Sequence, residues 1–123
     1  MTSMPEIFRR SLRTGLVTTS YPESPEPAPQ AYRGQLQIDS ARCSGHGDCM
    51  RACPSAAIRV IDGGEGRWTW ELDDSRCVFC GLCTEVCPER ALTMSNEYEL
   101  AVRDAADLVT RIAFQARNED VPR

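Results

Sequence analysis

The first apolar positions, Ile7, Phe8 and Leu12, follow Pro5 at helical spacing and stop short of Gly15, which predicts a short amphipathic helix over Pro5 to Leu12. Its apolar side needs a surface to cover: this domain, a neighbouring subunit or lipid. Between Ser20 and Gln30, Pro22, Pro25, Pro27 and Pro29 disfavour helix and keep the chain extended. A solvated linker and an arm lying along a partner both fit, and the arm is the favoured reading. Leu36 to Asp39 alternates as a short strand, and Cys49 to Cys53 suits one turn of helix ended by Pro54. Ile58 to Ile61 is rich in β-formers, Asp62 to Gly66 reads as a turn, and Arg67 to Leu72 sets Trp68, Trp70 and Leu72 on one face. That pattern predicts a hairpin. A further turn of helix falls between Cys77 and Cys87, and Ala91 to Met94 reads as a closing strand. Last, Asp104 can cap a helix carrying Ala105, Leu108, Val109, Ile112 and Ala113 on one face, to pack on its own domain or on another subunit.

Two of these stretches are copies of each other. Cys43-x2-His46-x2-Cys49-x3-Cys53-Pro54 superposes on Cys77-x2-Cys80-x2-Cys83-x3-Cys87-Pro88 at an offset of 34 residues, with Asp39 on Asp73, Arg42 on Arg76, Gly47 on Gly81 and Ala57 on Ala91. His46 lands on Cys80. A half-domain of this kind cannot close a core alone, so the halves are expected to pack about a pseudo-twofold axis.

Composition narrows the chemistry. With 123 residues, 41% of them hydrophobic and 7% aromatic, there is room for one small domain and a modest apolar core. Metal groups bound only by the folded chain can supply the missing stability. The net charge of -4, with 14 arginines and no lysine, gives no sign of a nucleic-acid-binding or membrane-adsorbing surface. All 7 cysteines lie between Cys43 and Cys87, and an odd number at such tight spacing makes no disulfide framework, so metal ligation in a reducing compartment fits better. No apolar run approaches the roughly 18 residues of a membrane span, and the N-terminus lacks the apolar region of a signal peptide. A cytoplasmic location is the expectation.

The Cys-x2-Cys-x2-Cys-x3-Cys-Pro run is the one used by bacterial two-cluster ferredoxins, where three cysteines hold one iron-sulfur cubane and the fourth ligates the other. Cluster two is accordingly assigned to Cys77, Cys80, Cys83 and Cys53, as a 4Fe-4S group. Cluster one is assigned to Cys43, Cys49, Cys87 and His46. Structural zinc, the competing reading of paired cysteines, fits poorly because each run offers four ligands and ends in Cys-Pro. Three readings of His46 stand open. Its imidazole ligates one iron of a 4Fe-4S group, raising the reduction potential as histidine does in Rieske centres; or it does not ligate and a 3Fe-4S group sits on Cys43, Cys49 and Cys87; or it is a loop histidine beside a cubane bound by another group. Gly45 and Gly47 give the loop freedom to turn the ring inward.

The stretch Gly15 to Pro22, Tyr32-Arg33-Gly34, the run from Arg76 to Pro88 and the segment Asn96 to Ala101 together resemble the two-cluster ferredoxin subunit of formate hydrogenlyase and related energy-converting nickel-iron hydrogenases. Somewhat less closely, they resemble the homologous peripheral subunit of respiratory complex I. The resemblance runs from about residue 12 to 102. His46 departs from it, as does a C-terminus shorter than that of some relatives. It implies an α+β ferredoxin domain over 35–95, an N-terminal helix and docking arm over 1–34, and a C-terminal docking segment and helix over 96–123. It further implies an electron-transfer subunit, not an enzyme by itself, relaying single electrons through two clusters inside a hydrogenase-like or complex I-like oxidoreductase. Formate dehydrogenase or another redox protein is the implied donor, and partner subunits are the implied link to the cytoplasmic face of the membrane. The alternative is a freely diffusing ferredoxin serving several enzymes; appendages at both ends with apolar sides favour the subunit. Trp68 and Trp70 read as hairpin packing rather than an electron path.

Overall fold

A computed structural model describes residues 3–15 and 17–115. The chain opens with α1 (Met4–Thr14), which has Pro5 in its first turn and ends where Gly15 takes a φ of 64°. Ile7, Phe8 and Leu12 are all exposed, Phe8 at 68% and Leu12 at 71%, so among the described residues the apolar side of α1 has no cover. The extended arm that follows folds back on the chain. Tyr98 donates its hydroxyl to the Glu26 carbonyl at 2.8 Å, and its ring stands 6.4 Å from Tyr21 and 6.3 Å from Tyr32. Tyr21 also donates to the Glu99 carboxylate.

Gly34 ends the arm where a side chain is forbidden. A Cβ there would lie 2.1 Å from the Glu97 carbonyl oxygen. This close approach lets Gly34 N–H reach Ser95 O at 2.8 Å and Gln35 N–H reach Glu97 O at 3.0 Å, which lengthens the pairing of the first sheet. In that sheet β1 (Leu36–Ile38) runs antiparallel to β4 (Leu92–Met94), with Gln37 opposite Thr93. The short helices α2 (Asp48–Ala52) and α3 (Leu82–Glu85) pack against each other.

The second sheet is β2 (Ile58–Gly64), β3 (Arg67–Asp73) and β5 (Val109–Gln115), with β3 in the centre. The hairpin foreseen from the sequence is present, its strands reaching further into the 62–66 turn than expected, with a bulge between Asp62 and Gly64. The small core joins both sheets: Leu36, Ala57, Ile58, Trp70, Leu72, Leu92 and Phe114 are buried, Trp70 being 1% exposed.

The C-terminal helix expected over Ala105 to Ala113 is corrected by the structure. Asp104 does cap, accepting from Ala106 N–H at 2.9 Å, but the turn it starts is a 3-10 helix of four residues, Ala105–Leu108. The chain then straightens into β5, which pairs along the open edge of β3 with Trp68 opposite Phe114, Trp70 opposite Ile112 and Leu72 opposite Thr110. Val109, Thr110 and Ile112 are β-branched and favour the pleated surface. Pairing also satisfies backbone groups on β3 that a helix would leave unbonded, and it brings Phe114 into the core. Glu71 adds a cross-strand anchor between Arg59 and Arg111, 2.6 Å from Arg111 Nε. The part of the expected C-terminal segment beyond Gln115 lies outside the described residues.

The offset of 34 residues seen in the sequence reappears in the backbone. Positive φ values recur at Gly45 and Phe79, at Gly47 and Gly81, and at Ala56 and Arg90. Asp39 N–H donates to Ala91 O at 2.8 Å, and Asp73 N–H to Ala57 O at 2.9 Å, so each half gives the other the same bond. Each aspartate carboxylate also accepts from the amide two residues on, at Ala41 and Ser75.

Candidate iron-sulfur centres

Each cysteine run wraps a hollow. In the first, the φ of Gly45 and Gly47 near 80° (81° and 75°) curls the loop before Gly47 begins α2. The Gly45 backbone lies against the Trp68 ring, and a Cβ there would come within 2.8 Å of its Cδ2. The hollow of about 310 Å³ so formed is lined by Cys43, His46 and Cys49 from the first run and by Cys87 from the second. A second hollow, about 340 Å³, is lined by Cys77, Cys80 and Cys83 together with Cys53 of the first run. Both volumes include open space at the mouth. The structure thus brings the predicted site residues together in the predicted two groups of four. Among the described residues, no three His, Cys, Asp or Glu side chains are grouped as a single metal ion would require.

The remaining lining is apolar. Ile38, Ala91 and Leu92 close the first hollow and Leu36, Ala57, Ile58 and Met94 the second. Burial in these surroundings pushes the Cys49 thiol up to about 11, with the neighbouring Cys43 adding to the effect. Burial likewise pushes Cys83 up to about 12, helped by Cys77 and Cys49, and raises Cys43 and Cys77. Thiols held this way become thiolates when a cation shares the hollow, which couples metal binding to deprotonation. Cys53 differs. Burial acts on it most strongly, yet hydrogen bonds from Ser55 and from the Ala57, Ser55 and Ile58 amides outweigh it and bring its thiol below the ordinary value.

Backbone donors are already aimed at sulfur. Ala57 N–H meets Cys53 Sγ and Ala91 N–H meets Cys87 Sγ, each at 3.3 Å, while Phe79 N–H meets Cys77 Sγ at 3.4 Å. The buried indole Nε1 of Trp70 has no well-aligned partner among the described residues, although it lies near enough to Cys49 to ease that thiol's ionisation. Buried polar groups rarely stay orphaned, and a thiolate at Cys49, were it to ligate, would supply the acceptor. These donors, the eight candidate ligands and the apolar walls fit iron-sulfur clusters, whose potentials are set by hydrogen bonds to sulfur and by solvent exposure.

His46 is the partly exposed wall of the first hollow. Its Nδ1 contacts Ser44 Oγ and stands 3.1 Å from Glu89 Oε1. Two further residues matter here that sequence reasoning did not single out, Ser44 and Glu89; Arg33, noted in the sequence only within Tyr32-Arg33-Gly34, donates from Nη1 to the Cys80 carbonyl at 2.7 Å and so ties the arm to the second hollow. The available signal for Glu89 was its mismatch with Ser55 two residues after the Cys-Pro cysteine, and for Arg33 its place in that stretch.

Residues 36–94 match the family described as a 4Fe-4S dicluster domain. Over 112 residues the chain is 40% identical to formate hydrogenlyase subunit 6 of Escherichia coli (strain K12), an alignment covering 90% of this chain and 62% of that protein. Over 45 residues it is 38% identical to F(420)H(2) dehydrogenase subunit I of Methanosarcina mazei, covering 37% of this chain and 25% of the relative. Among solved structures it is similar to a chain of the membrane-bound sulfane sulfur reductase, an archaeal respiratory membrane complex, with a TM-score of 0.64 and 33% identity over 81% of this chain and 55% of that one. The chain therefore spans 62% of the first relative's length and 55% of the chain in the solved structure. Over residues 36–94, the stretch that contains the lining of both hollows, the chain is thus similar to the 4Fe-4S dicluster domains.

Proposed function

We propose that the chain is the two-cluster electron-transfer subunit of a membrane-associated oxidoreductase, hydrogenase-like or related to the respiratory complexes above, and performs no catalysis alone. The observation that carries this reading is the exchange of the fourth ligand: Cys53 lines the hollow of the second run and Cys87 that of the first. Cys77, Cys80, Cys83 and Cys53 then hold a 4Fe-4S group, and Cys43, Cys49, Cys87 and His46 hold the other. Reciprocal bonds from Asp39 and Asp73 support a pseudo-twofold relation between the halves of a domain over 35–95. When bound, the clusters supply one-electron carriers that change charge with little change of shape. The protein excludes water from the thiolates with Leu36, Ile58 and Leu92 and sets N–H donors on their sulfurs. A neutral imidazole in place of an anionic thiolate gives cluster one the higher potential.

Partner subunits are the proposed cover for the apolar side of α1, where Met4 is 81% exposed, and for the arm behind it. Among the described residues no helix is long and apolar enough to cross a membrane, so the link to the membrane is assigned to those partners, at the cytoplasmic face. A formate dehydrogenase or another redox protein is the donor this arrangement suits. Anaerobic purification from native extract tests the whole reading. Co-elution with oxidoreductase subunits, iron and acid-labile sulfide for two clusters, and two separable reduction steps are the expected results. Elution of tagged protein alone at 13.7 kDa, or stoichiometric zinc without sulfide, refutes it.

A further inference from the structure

The internal repeat is broken at two chemically important positions, and the fold brings them together. His46 stands where the second run has Cys80, and Glu89, two residues after Cys87, stands where Ser55 follows Cys53. The two come from opposite runs. Yet Glu89 Oε1 lies 3.1 Å from His46 Nδ1, and both line the first hollow. In the other half, Ser55 takes the position of Glu89, and its Oγ lies 3.6 Å from Cys53 Sγ of its own run. The chain thus sets a carboxylate beside the imidazole, at the position where the other half carries the hydroxyl of Ser55.

Donor counting fixes the direction of the bonds. Ser44 Oγ donates its one proton to Glu89 Oε1 at 2.7 Å. Its contact with His46 Nδ1 must then have the hydroxyl oxygen as acceptor. A carboxylate accepts only, so the Glu89 contact asks the same of Nδ1. Both neighbours therefore call for the proton on Nδ1, which leaves the lone pair of a neutral ring on Nε2. Ligating histidines are commonly held in this way by a carboxylate, which sets the tautomer and raises the basicity of the ligand.

We infer that Glu89, steadied by Ser44, is the positioning residue of cluster one: it holds His46 in the Nδ1–H tautomer so that Nε2 is the nitrogen offered to iron. This rests on His46 being a ligand, as proposed above. Glu89 touches no iron itself and acts through His46. The consequence is that cluster one keeps its histidine-bound iron only while the carboxylate from the opposite run is in place.

The test uses the full chain with both clusters loaded anaerobically. Pulsed EPR of reduced cluster one reads nitrogen coupling from a bound imidazole, and oxidant-driven conversion to 3Fe-4S reads how firmly the fourth iron is held. Wild type is expected to show the coupling. In Glu89→Ala the coupling is lost or heterogeneous and conversion of cluster one runs about 10- to 100-fold faster, the loss usual for an outer carboxylate, while cluster two is unchanged. Glu89→Gln retains an acceptor oxygen without the charge; it keeps the coupling and shifts cluster one to a higher potential. Wild-type coupling together with unaltered conversion in Glu89→Ala overturns the inference and leaves His46 as a ligand. Absence of coupling in wild type overturns both. Should Glu89→Ala fail to load either cluster, Glu89→Gln decides, and an unshifted potential there counts against the positioning role.

Discussion

Gly45→Ala is the substitution in which fold and site meet most directly. The residue has a φ of 81°, and an added Cβ would lie 2.8 Å from Cδ2, 2.9 Å from Cε2 and 3.2 Å from Cγ of Trp68. Favourable carbon–carbon contact begins near 3.5 Å, so the methyl would intrude by roughly 0.7 Å at the ring edge. The left-handed backbone alone costs an L-residue about 1–2 kcal/mol, partly offset by about 0.4–1 kcal/mol from a stiffer unfolded chain. Overpacking against Trp68 adds about 1–3 kcal/mol. Gly64 is the control, with a φ of 76° and nothing within 4 Å of its would-be Cβ, so Gly64→Ala carries the backbone contribution only. The difference of about 1–3 kcal/mol corresponds to urea-driven bleaching of the loaded protein about 5- to 150-fold faster in Gly45→Ala than in Gly64→Ala, given that the strain is released at the barrier. Cluster one should bleach first. Trp68→Leu in the Gly45→Ala background should recover part of the loss, as contacting residues do in a double-mutant cycle. Equal rates for the two alanine variants, or no coupling to Trp68, would refute the packing account of the first loop.

Three further outcomes are expected. His46→Cys restores an anionic thiolate and should lower the potential of cluster one toward that of cluster two in an EPR-monitored redox titration; an unmoved potential means that His46 is not a ligand. Tyr98→Ala removes the bond to Glu26 and the ring contacts with Tyr21 and Tyr32. Together these are worth about 1–3 kcal/mol, so limited proteolysis within residues 20–31 should accelerate about 10-fold with both clusters intact, and unchanged cleavage would show that Tyr98 does not hold the arm. Burial raises the Asp74 carboxyl above its ordinary 3.8 against a lowering bond from Gln35. The folded chain thus keeps a proton that the unfolded chain has released, and stability declines as pH rises from that ordinary value through the folded one. Asp74→Asn should unfold more slowly than wild type at neutral pH, with the difference closing in acid; parallel pH profiles would exclude the effect.

Local spacing is what made the two runs readable. Three candidate ligands within seven residues, followed by a fourth beyond one helical turn, describe the wall of a small object, and the use of this run in two-cluster ferredoxins then assigns each fourth cysteine to the opposite cluster. His46 was visible for the same reason, as the single mismatch in a register of 34 residues. The helix α1, the hairpin and the closing strand also followed from nearby signals: Pro5 and Gly15, the alternation around Trp70, and the β-formers before Met94.

The C-terminal segment was not readable because Ala105 to Ala113 satisfies a helical period, while Thr110, Ile112 and Phe114 satisfy a period of two equally well. The choice was made by the free edge of β3, about forty residues earlier, where Arg111 pairs with Glu71 at a separation of 40. Glu89 reads in sequence as an ordinary charged residue after Cys-Pro, and Trp70 as packing; crossing of the runs brings the first to His46, and the core sets the indole N–H of the second beside Cys49. The same holds for Arg33 at the Cys80 carbonyl and Tyr98 against the arm. The order and spacing of the candidate ligands are short-range properties of the chain, fixed by covalent connection. Which donors, carboxylates and strand edges surround those ligands depends on contacts between distant segments, and only the tertiary structure decided them.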